Sequence, residues 1–570
     1  MTTRCDIAIV GSGFAGSLLA RILAKLGRHV VLVERATHPR FAIGESTTPL
    51  ANLSLERIAK RYGLPDCYQL AAHGRWLEHL PHLRRGLKRG FTFYRHHPHE
   101  QFANDRLESE RLLVAASPNA NVADTHWVRA DVDHHFVREA IVAGVDYRDR
   151  TELSSCELTA SGARLRGSRD GAAFELGASF VIDASGPGGF LARQLAIPDA
   201  LDRTYARSGL IFSHFTGVPL MQDVVAGLPD GPYPDDWAAV HHIIDEGWMY
   251  SLRFDDGVVS AGFVLRERGG REPGAGSDGA GRRGPGVGSD KAGSREPGGG
   301  IAEDRWRALL DNYPTIQAMF GDATALMPIK HVPRIQHRLA RATGDRWLLM
   351  PHAYAFVDPL FSTGIAWALR SVERIALMFE SGSPTPSHLE RYENMLSREA
   401  DQIDRLVAGA YDAMGHFDLF AAHALIYFTA VSYAETRQRV APSDDVAWSG
   451  FLGVGDNAIE GVPDGSRQRL RSLTRDGTTA GSADERSAYV RWASDAIAPR
   501  NIAGLADPER HNLYPLDVDV MLDRHELLGL SREQLVAALP TLRGIAPVIC
   551  HSGHSEESAR VNAVPPLRSG

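Results

Sequence analysis

The chain has little of several things that mark particular protein classes. Only four of its 570 residues are cysteines (Cys5, Cys67, Cys156 and Cys550), and none forms a CxxC pair, which argues against a disulfide framework and a zinc site. A net charge of −8 provides no basic field to attract nucleic acid. No stretch offers about 20 uninterrupted apolar residues, so we expect no transmembrane segment. Together these absences favour a cytoplasmic globular protein.

What the chain does have, close to its start, is the pattern of a dinucleotide-binding unit. A buried strand is predicted over 7–10, followed by GxGxxG spacing, an apolar-periodic helix over about 17–26, and a second strand over 29–33 that ends at an acid. The glycines allow a tight turn, close approach of a pyrophosphate and helix packing, and the helix N-terminus attracts phosphate. Glu34, the acid that ends the second strand, is placed to accept hydrogen bonds from an adenosine ribose. The predicted cofactor contacts here are Gly11, Gly13, Phe14, Ala15, Gly16, Glu34 and Arg35.

Three separate segments fit the same cofactor, FAD. The sequence VIDASGPGG ends a strand and turns through small residues, so its backbone can pass close to ribose and pyrophosphate. FVDPLFSTGI opens a helix whose peptide N–H groups suit a flavin carbonyl or a small anion, and IGESTTP permits close approach beside the flavin. Ordinary turns, or a helix N-cap at Ser362 or Thr363, are the alternatives. The predicted contacts are Gly44, Glu45, Ser46, Arg129, Asp183, Gly186, Asp358, Gly364 and Ile365, with a surface salt bridge as the alternative for Arg129.

These segments together resemble the flavin-dependent halogenases, often called tryptophan-halogenase-like, within the FAD monooxygenase fold. The resemblance covers about residues 5–430 and rests on GSGFAG, Glu34, IGES, LKRGFTFY, DASGPGGFL and FVDPLFSTGI. It implies that reduced FAD and dioxygen oxidise a halide held by Thr363 and Gly364. It also implies that Lys88 is the catalytic lysine between flavin and substrate. A bulky aromatic or hydrophobic small molecule is the implied substrate, and a separate flavin reductase is the implied source of reduced FAD.

Two positions refine this resemblance. Phe361 precedes Ser-Thr-Gly where enzymes acting on free tryptophan have glutamate, so the chain resembles the branch acting on phenolic or carrier-bound aromatic substrates. Lys88 lies in a basic run with Arg84, Arg85 and Arg89. Because a lysine in such a run is usually solvated, a plain surface role is the alternative for Lys88.

The sequence GWMYSLRF departs from the family pattern W-x-W-x-I-P. Trp248 is kept, but Tyr250, Leu252 and Arg253 replace Trp, Ile and Pro in a motif thought to wall flavin from substrate. A flavin monooxygenase or dehydrogenase, or a reductase similar to geranylgeranyl reductases, therefore stays open as an alternative without halide chemistry. So does a flavoprotein that only binds or scaffolds.

The predicted fold class is α/β. A Rossmann-like FAD-binding domain over 1–385 is interleaved with a substrate-binding β-sheet (about 84–125 and 205–345), followed by a mostly helical region over 386–570. We expect continuous helix over 387–437, whose apolar part 417–435 is either a buried helix or the lining of a pocket. The Gly/Pro-rich segment 268–300 is predicted to be a disordered insertion. Histidines 96, 97, 99, 134 and 135 lack the spacing of a metal site.

Overall fold

The computed structural model describes residues 3–105, 107–159, 161–187, 189–267, 299–440, 444–473 and 481–542. The predicted insertion at 268–300 lies outside the described residues, except for its last two residues, which begin a helix.

The strands and helices follow one another through both halves of the chain. In chain order, the strands are Thr3–Val10 (β1), Val30–Val33 (β2), Arg85–Lys88 (β3), Gly90–Arg95 (β4), Arg111–Ala115 (β5), Asp124–Trp127 (β6), Asp146–Arg148 (β7), Thr151–Thr159 (β8), Gly162–Arg169 (β9), Ala172–Asp183 (β10), Ser208–Thr216 (β11), Ala239–Ile244 (β12), Gly247–Arg253 (β13), Val259–Arg266 (β14), Thr324–Ala325 (β15), Lys330–Val332 (β16), His337–Arg338 (β17), Thr343–Gly344 (β18), Trp347–Leu349 (β19), Ala355–Phe356 (β20) and Leu513–Tyr514 (β21). The helices are Phe14–Lys25 (α1), Pro49–Tyr62 (α2), Pro65–Leu70 (α3), His73–His79 (α4), Arg129–Val142 (α5), Phe190–Gln194 (α6), Met221–Val224 (α7), Gly299–Asn312 (α8), Pro314–Phe320 (α9), Pro351–Tyr354 (α10), Thr363–Glu380 (α11), Pro386–Ala413 (α12), Phe417–Val440 (α13), Val462–Leu473 (α14), Ala483–Ile497 (α15), Val518–Asp523 (α16) and Arg532–Leu542 (α17).

The first sheet carries the predicted nucleotide-binding unit. Its order is β18-β19-β10-β1-β2-β7, parallel from β19 to β7, and β9 and β8 extend it from β10 as an antiparallel meander. Val10 pairs with both Asp183 and Val33, so the carboxyl ends of β1, β10 and β2 lie side by side. Ligands of open α/β sheets bind at such an edge. The predicted α/β fold with a Rossmann-like domain is confirmed.

The second sheet is assembled from distant parts of the chain. Its order is β15-β11-β14-β13-β12-β4-β5-β21, with β16 beside β11, and it is antiparallel except where β12 meets β4 and β21 meets β5. The segment LKRGFTFY does not form one strand, because the chain divides at Arg89 into β3 and β4. The reason is that β3 pairs with β6 in a separate ribbon, whereas β4 pairs with β5 and β12.

The helical region contains a correction. The continuous helix predicted over 387–437 is wrong, because α12 ends at Ala413 and α13 begins at Phe417 after a turn that contains Gly415. The prediction of a buried helix over 417–435 is confirmed, since α13 packs among α2, α12, α15 and α17. Within the described residues, α13 is the one helix long and apolar enough to cross a bilayer, but 83% of its apolar window is buried inside the protein.

Candidate active site

The three glycines at the end of β1 have different reasons to be glycine. Gly11 has φ +103°, and a Cβ there would lie 2.5 Å from the carbonyl oxygen of Ala184. A Cβ on Gly16 would lie 2.2 Å from the carbonyl oxygen of Gly11, so these two glycines are required by packing alone. A Cβ on Gly13 would meet nothing nearer than 3.8 Å. Gly13 is the N-cap of α1 without a side-chain cap, so it leaves the helix N-terminus open to a phosphate.

The Glu34 carboxylate lies beside that helix end and is held by several donors. Its Oε2 accepts hydrogen bonds from the Ser12 N–H (3.0 Å), the Ser12 hydroxyl (2.9 Å) and Arg40 (3.2 Å), and its Oε1 accepts one from the Ala36 N–H (3.0 Å). Burial raises the pKa of Glu34, but Arg40 and these N–H groups outweigh that effect and lower it. Oε1 keeps acceptor capacity for a ribose hydroxyl. The Arg35 side chain is exposed. The guanidinium that pairs with Glu34 belongs instead to Arg40, a residue that the sequence analysis missed.

Phe14 and Ala15 form the first turn of α1. The Phe14 ring is buried edge-to-face against Trp127, with 5.4 Å between ring centroids, and its N–H donates to the Asp133 carboxylate. The Phe14 side chain therefore belongs to the core. Ala15 is half-buried.

Arg129 is a buried positioning residue rather than a surface ion pair. Its guanidinium makes a bidentate pair with Asp133 (2.8 and 2.9 Å) and donates to the carbonyl oxygens of Ile43 (2.8 Å) and Gly44 (3.0 Å). Arg129 is 8% exposed, so the surface salt bridge considered from the sequence is wrong. It ties exposed Ile43 and Gly44 of the IGES loop to the start of α5, next to Gly13.

Glu45 and Ser46 continue that loop into the protein. The Glu45 carboxylate accepts hydrogen bonds from the Ser260 hydroxyl (2.6 Å) and pairs with the His214 ring (2.9 Å), which joins the loop to the second sheet. The Ser46 hydroxyl is buried with no hydrogen-bond partner. An unpaired buried hydroxyl close to exposed Ile43 and Gly44 fits a ligand that covers this part of the loop.

Asp183 and Gly186 shape the turn after β10. The Asp183 carboxylate accepts hydrogen bonds from the Ser185 N–H and hydroxyl and from the Leu191 N–H, and burial raises its pKa. It therefore holds the turn, and its predicted contact with the cofactor stays a prediction. Gly186 has φ +76°, and the space around its missing Cβ is open to 4 Å.

The start of α11 carries the predicted anion site. Ser362 is the N-cap residue of α11, with φ +51°, and its side chain makes no capping hydrogen bond. The first N–H groups of the helix are therefore not capped by a side chain, contrary to the simple N-cap considered from the sequence. A Cβ on Gly364 would lie 3.1 Å from His352 Nε2, which is buried without a partner. Burial, with Arg129 adding to it, lowers the pKa of His352 to about 3, so its ring is neutral. Thr363 and Ile365 are buried.

Asp358 anchors the loop that precedes α11. Its carboxylate accepts hydrogen bonds from the Ser208 hydroxyl (2.7 Å), the Tyr411 hydroxyl (2.9 Å) and the Leu360 N–H (3.1 Å). Trp248 Nε1 donates to the same Tyr411 oxygen at 3.1 Å. Burial raises the pKa of Asp358 to about 6. These contacts position the loop, and the predicted contact of Asp358 with the cofactor stays a prediction.

Lys88 is fully buried, so the solvated alternative is wrong. Its Nζ donates to the carbonyl oxygen of Thr47 at 2.6 Å and lies 3.9 Å from the centroid of the Phe91 ring. Across the β3–β6 ribbon it faces Asp124. Burial lowers the pKa of Lys88 to about 7, and Asp124 limits that fall. Arg84, by contrast, is exposed and pairs with Asp131, as the basic run suggested.

Aromatic side chains separate Lys88 from the start of α11. The Phe361 and Tyr427 rings stack at 4.4 Å, and Tyr427 lies 6.1 Å from Phe91 by ring centroids. Further members of this aromatic layer are Phe93, His241, Trp248, Tyr250, Phe420 and Phe428. Arg253 is not part of this layer, because its guanidinium donates hydrogen bonds to the carbonyl oxygens of Val218 and Pro219. The layer is therefore intact although the W-x-W-x-I-P pattern is not.

Comparison with known proteins finds flavin-dependent halogenases among the relatives of this chain. A family model described as FAD binding domain matches residues 4–225, and one described as Tryptophan halogenase matches residues 315–420. Tetracycline 7-halogenase of Kitasatospora aureofaciens is 27% identical over 94% of this chain and 96% of that protein. Monodechloroaminopyrrolnitrin halogenase PrnC of Pseudomonas fluorescens is 25% identical over 73% of this chain and 69% of its own. Over most of its length the chain is therefore similar to flavin-dependent halogenases.

The fold agrees with a solved halogenase. The crystal structure of halogenase PltM in complex with phloroglucinol and FAD superposes with a TM-score of 0.75, at 23% identity, over 89% of this chain and 99% of that one. The chain is an FAD-dependent oxidoreductase. The open N-terminus of α1, the spare oxygen of Glu34, the space at Gly186 and the uncapped start of α11 fit the cofactor. The alternatives without halide chemistry are not favoured.

The histidines show no metal site. Among the residues that the structure describes, no group of three or more His, Cys, Asp or Glu side chains is placed to hold a metal ion. His96 instead pairs with His242 at 2.9 Å between ring nitrogens, and both rings are buried.

Proposed function

We propose that this protein halogenates a phenolic or polycyclic aromatic small molecule with reduced FAD, dioxygen and a halide. The observation that carries the proposal is Lys88, a fully buried amine that donates a hydrogen bond to the Thr47 carbonyl oxygen and lies over the Phe91 ring beside the aromatic layer. When bound, FAD supplies the reduction of dioxygen that oxidises the halide. The N-terminus of α1 and Glu34 would hold its pyrophosphate and ribose, and the start of α11 its ring carbonyl or the halide.

The surroundings of Lys88 suit a group that handles an oxidised halogen. A pKa near 7 means that both protonation states are populated at neutral pH. The ammonium form donates a hydrogen bond to hypohalous acid, and the neutral form is nucleophilic enough to become a haloamine. Because Lys88 has no exposed surface, bulk water does not compete for that hydrogen bond.

Several features support the choice of substrate and partner. Relatives named for tetracycline and monodechloroaminopyrrolnitrin indicate aromatic substrates, and Phe361 replaces the glutamate of the enzymes for free tryptophan. We propose that a separate flavin reductase provides reduced FAD, because the sequence has no evident second nucleotide-binding pattern. A cytoplasmic location is part of the same proposal and is consistent with free thiols at Cys5, Cys67 and Cys156.

The test uses the purified full chain with chemically reduced FAD, oxygen, bromide and a panel of phenols. We expect products with the two-isotope pattern of bromine in mass spectrometry. Lys88→Met is expected to abolish them while flavin reoxidation continues, and exposed Lys60→Met serves as the matched control with normal product formation. Oxygenated products that are indifferent to bromide would overturn the proposal, and so would unchanged bromination by Lys88→Met.

A further inference from the structure

Tyr427, on α13, is hydrogen-bonded to the loop that leads into α11. Its hydroxyl donates to the carbonyl oxygen of Phe361 at 2.7 Å, and the two rings stack with their planes 15° apart. Both side chains are buried. Burial raises the pKa of Tyr427, so its hydroxyl stays protonated and is available as a donor. The contact joins the helical region directly to the residue that precedes the N-cap of α11.

The peptide unit between Phe361 and Ser362 is held from both sides. Its carbonyl oxygen accepts the hydrogen bond from Tyr427, and its N–H donates to the carbonyl oxygen of Pro359 at 2.9 Å. The atoms of a peptide unit lie in one plane, and in the trans form the C=O and the N–H point in opposite directions. The two hydrogen bonds together therefore fix the orientation of this plane.

Ser362 needs such support because its backbone is strained. Its φ of +51° lies in the left-handed region, which is unfavourable for a residue other than glycine and persists only where the surroundings hold it. The N–H groups of Thr363 and Gly364 follow directly in the first turn of α11, where no intrahelical acceptor is available to them. A change of Ser362 to a negative φ would alter the direction of these N–H groups.

We propose that Tyr427 is a positioning residue for the halide site at the start of α11. Through the Phe361 carbonyl it keeps the N–H groups of Thr363 and Gly364 directed at the anion. The inference rests on the proposed function. An anion held by peptide N–H groups binds more tightly when these groups are already oriented before it arrives, since no ordering cost then opposes binding. The helical C-terminal region thus contributes to the chemistry of the site as well as to the core.

A second tyrosine of α13 makes the same kind of contact away from the site. The Tyr433 side chain is buried, and its hydroxyl donates to the carbonyl oxygen of Leu527 at 3.2 Å. Its ring lies 4.9 Å from the guanidinium carbon of Arg500. Because Tyr433 holds other residues of the C-terminal region against α13, Tyr433→Phe is the matched control for Tyr427→Phe.

Tyr427→Phe removes the hydroxyl and keeps the ring that stacks on Phe361. Bromide is titrated into the full chain loaded with oxidised FAD, and binding is followed by flavin fluorescence. We expect Tyr427→Phe to raise the Kd for bromide about tenfold, the effect of one lost hydrogen bond, and Tyr433→Phe to change it less than about twofold. In turnover with reduced FAD, oxygen and 2-naphthol, we expect Tyr427→Phe to raise the KM for bromide about tenfold. The kcat at saturating bromide and the KM for 2-naphthol should change less than about threefold.

The outcomes separate this inference from a structural role and from the proposed function. Urea unfolding shows that each variant is folded. A lower free energy of unfolding for Tyr427→Phe with an unchanged bromide Kd would make Tyr427 structural and overturn the proposal. An equal rise in the bromide Kd for both variants, or no saturable bromide binding by the unsubstituted protein, would overturn it as well. If the unsubstituted protein binds bromide but brominates no phenol, the proposed function fails, and the bromide Kd values alone decide whether Tyr427 positions the site.

Discussion

Replacing Lys88 with methionine is expected to stabilise the folded protein at pH 6 and to leave its stability almost unchanged at pH 10. The pKa of Lys88 is lowered by burial from 10.5 to about 7. Between those values the unfolded chain binds the proton and the folded protein does not. The cost of burying the ammonium is therefore fully present below pH 7, and it disappears as pH rises towards 10.5.

The magnitude follows from the size of that shift. A difference of about 3.5 pKa units at about 1.4 kcal/mol each amounts to about 5 kcal/mol below pH 7. Methionine fills a similar volume, and loss of the bond to the Thr47 carbonyl oxygen costs about 1 kcal/mol, which leaves a gain of about 4 kcal/mol. Burial raises the pKa of Asp124 to about 8, so at pH 6 no uncompensated carboxylate is left behind. At pH 10 the remaining cost of about 1 kcal/mol and the lost hydrogen bond cancel.

The assay is urea unfolding of the apoprotein at both pH values, followed by tryptophan fluorescence. The Lys60→Met control, on an exposed site, is expected to shift neither transition. Two results would refute the claim that burying the Lys88 ammonium destabilises the folded protein. One is a free energy of unfolding at pH 6 that is lower for Lys88→Met than for the unsubstituted protein, and the other is an equal change at both pH values. The expected gain identifies Lys88 as a residue whose chemistry is kept at the expense of stability.

Three further substitutions probe the fold and the cofactor site. Gly13→Ala is expected to leave the melting temperature of the apoprotein unchanged, because its Cβ meets nothing within 3.8 Å, but to weaken FAD binding more than about tenfold; unchanged quenching of flavin fluorescence would contradict this. Glu34→Gln is expected to weaken FAD binding about tenfold in the same titration, because a charged acceptor is lost, and an unaltered Kd would argue against its ribose role. Glu399→Gln breaks the fully buried pair with Arg374 (2.6 Å) and is expected to lower the free energy of unfolding by about 3–5 kcal/mol; a loss below about 1 kcal/mol in urea would count against it.

The nucleotide-binding corner could be predicted because its geometry is local. Gly11, Gly13 and Gly16 are fixed by a strand, a turn and a helix that follow directly in the sequence, and Glu34 ends the next strand. The start of that helix was placed three residues late, because the N-cap is Gly13 itself and not a side-chain capping residue. Local patterns thus predict the element and miss its boundary.

The surroundings of the lysine could not be predicted, because they depend on long-range pairing. The sequence cannot distinguish buried Lys88 from exposed Arg84, since Lys88 is buried by the β3–β6 ribbon and by its contacts with Thr47 and Phe91. Arg253 suggested a broken aromatic wall, but its guanidinium reaches peptide carbonyls outside that wall, a contact no local pattern shows.

The most direct measurement of the central claim is a crystal structure of the FAD complex in bromide, with anomalous diffraction at the bromine edge. The account predicts flavin bound along the N-termini of α1 and α11, a bromide peak at the N–H groups of Thr363 and Gly364, and Lys88 across the aromatic layer from it. A bromide-free start of α11, or FAD bound away from Gly13 and Glu34, would contradict the account.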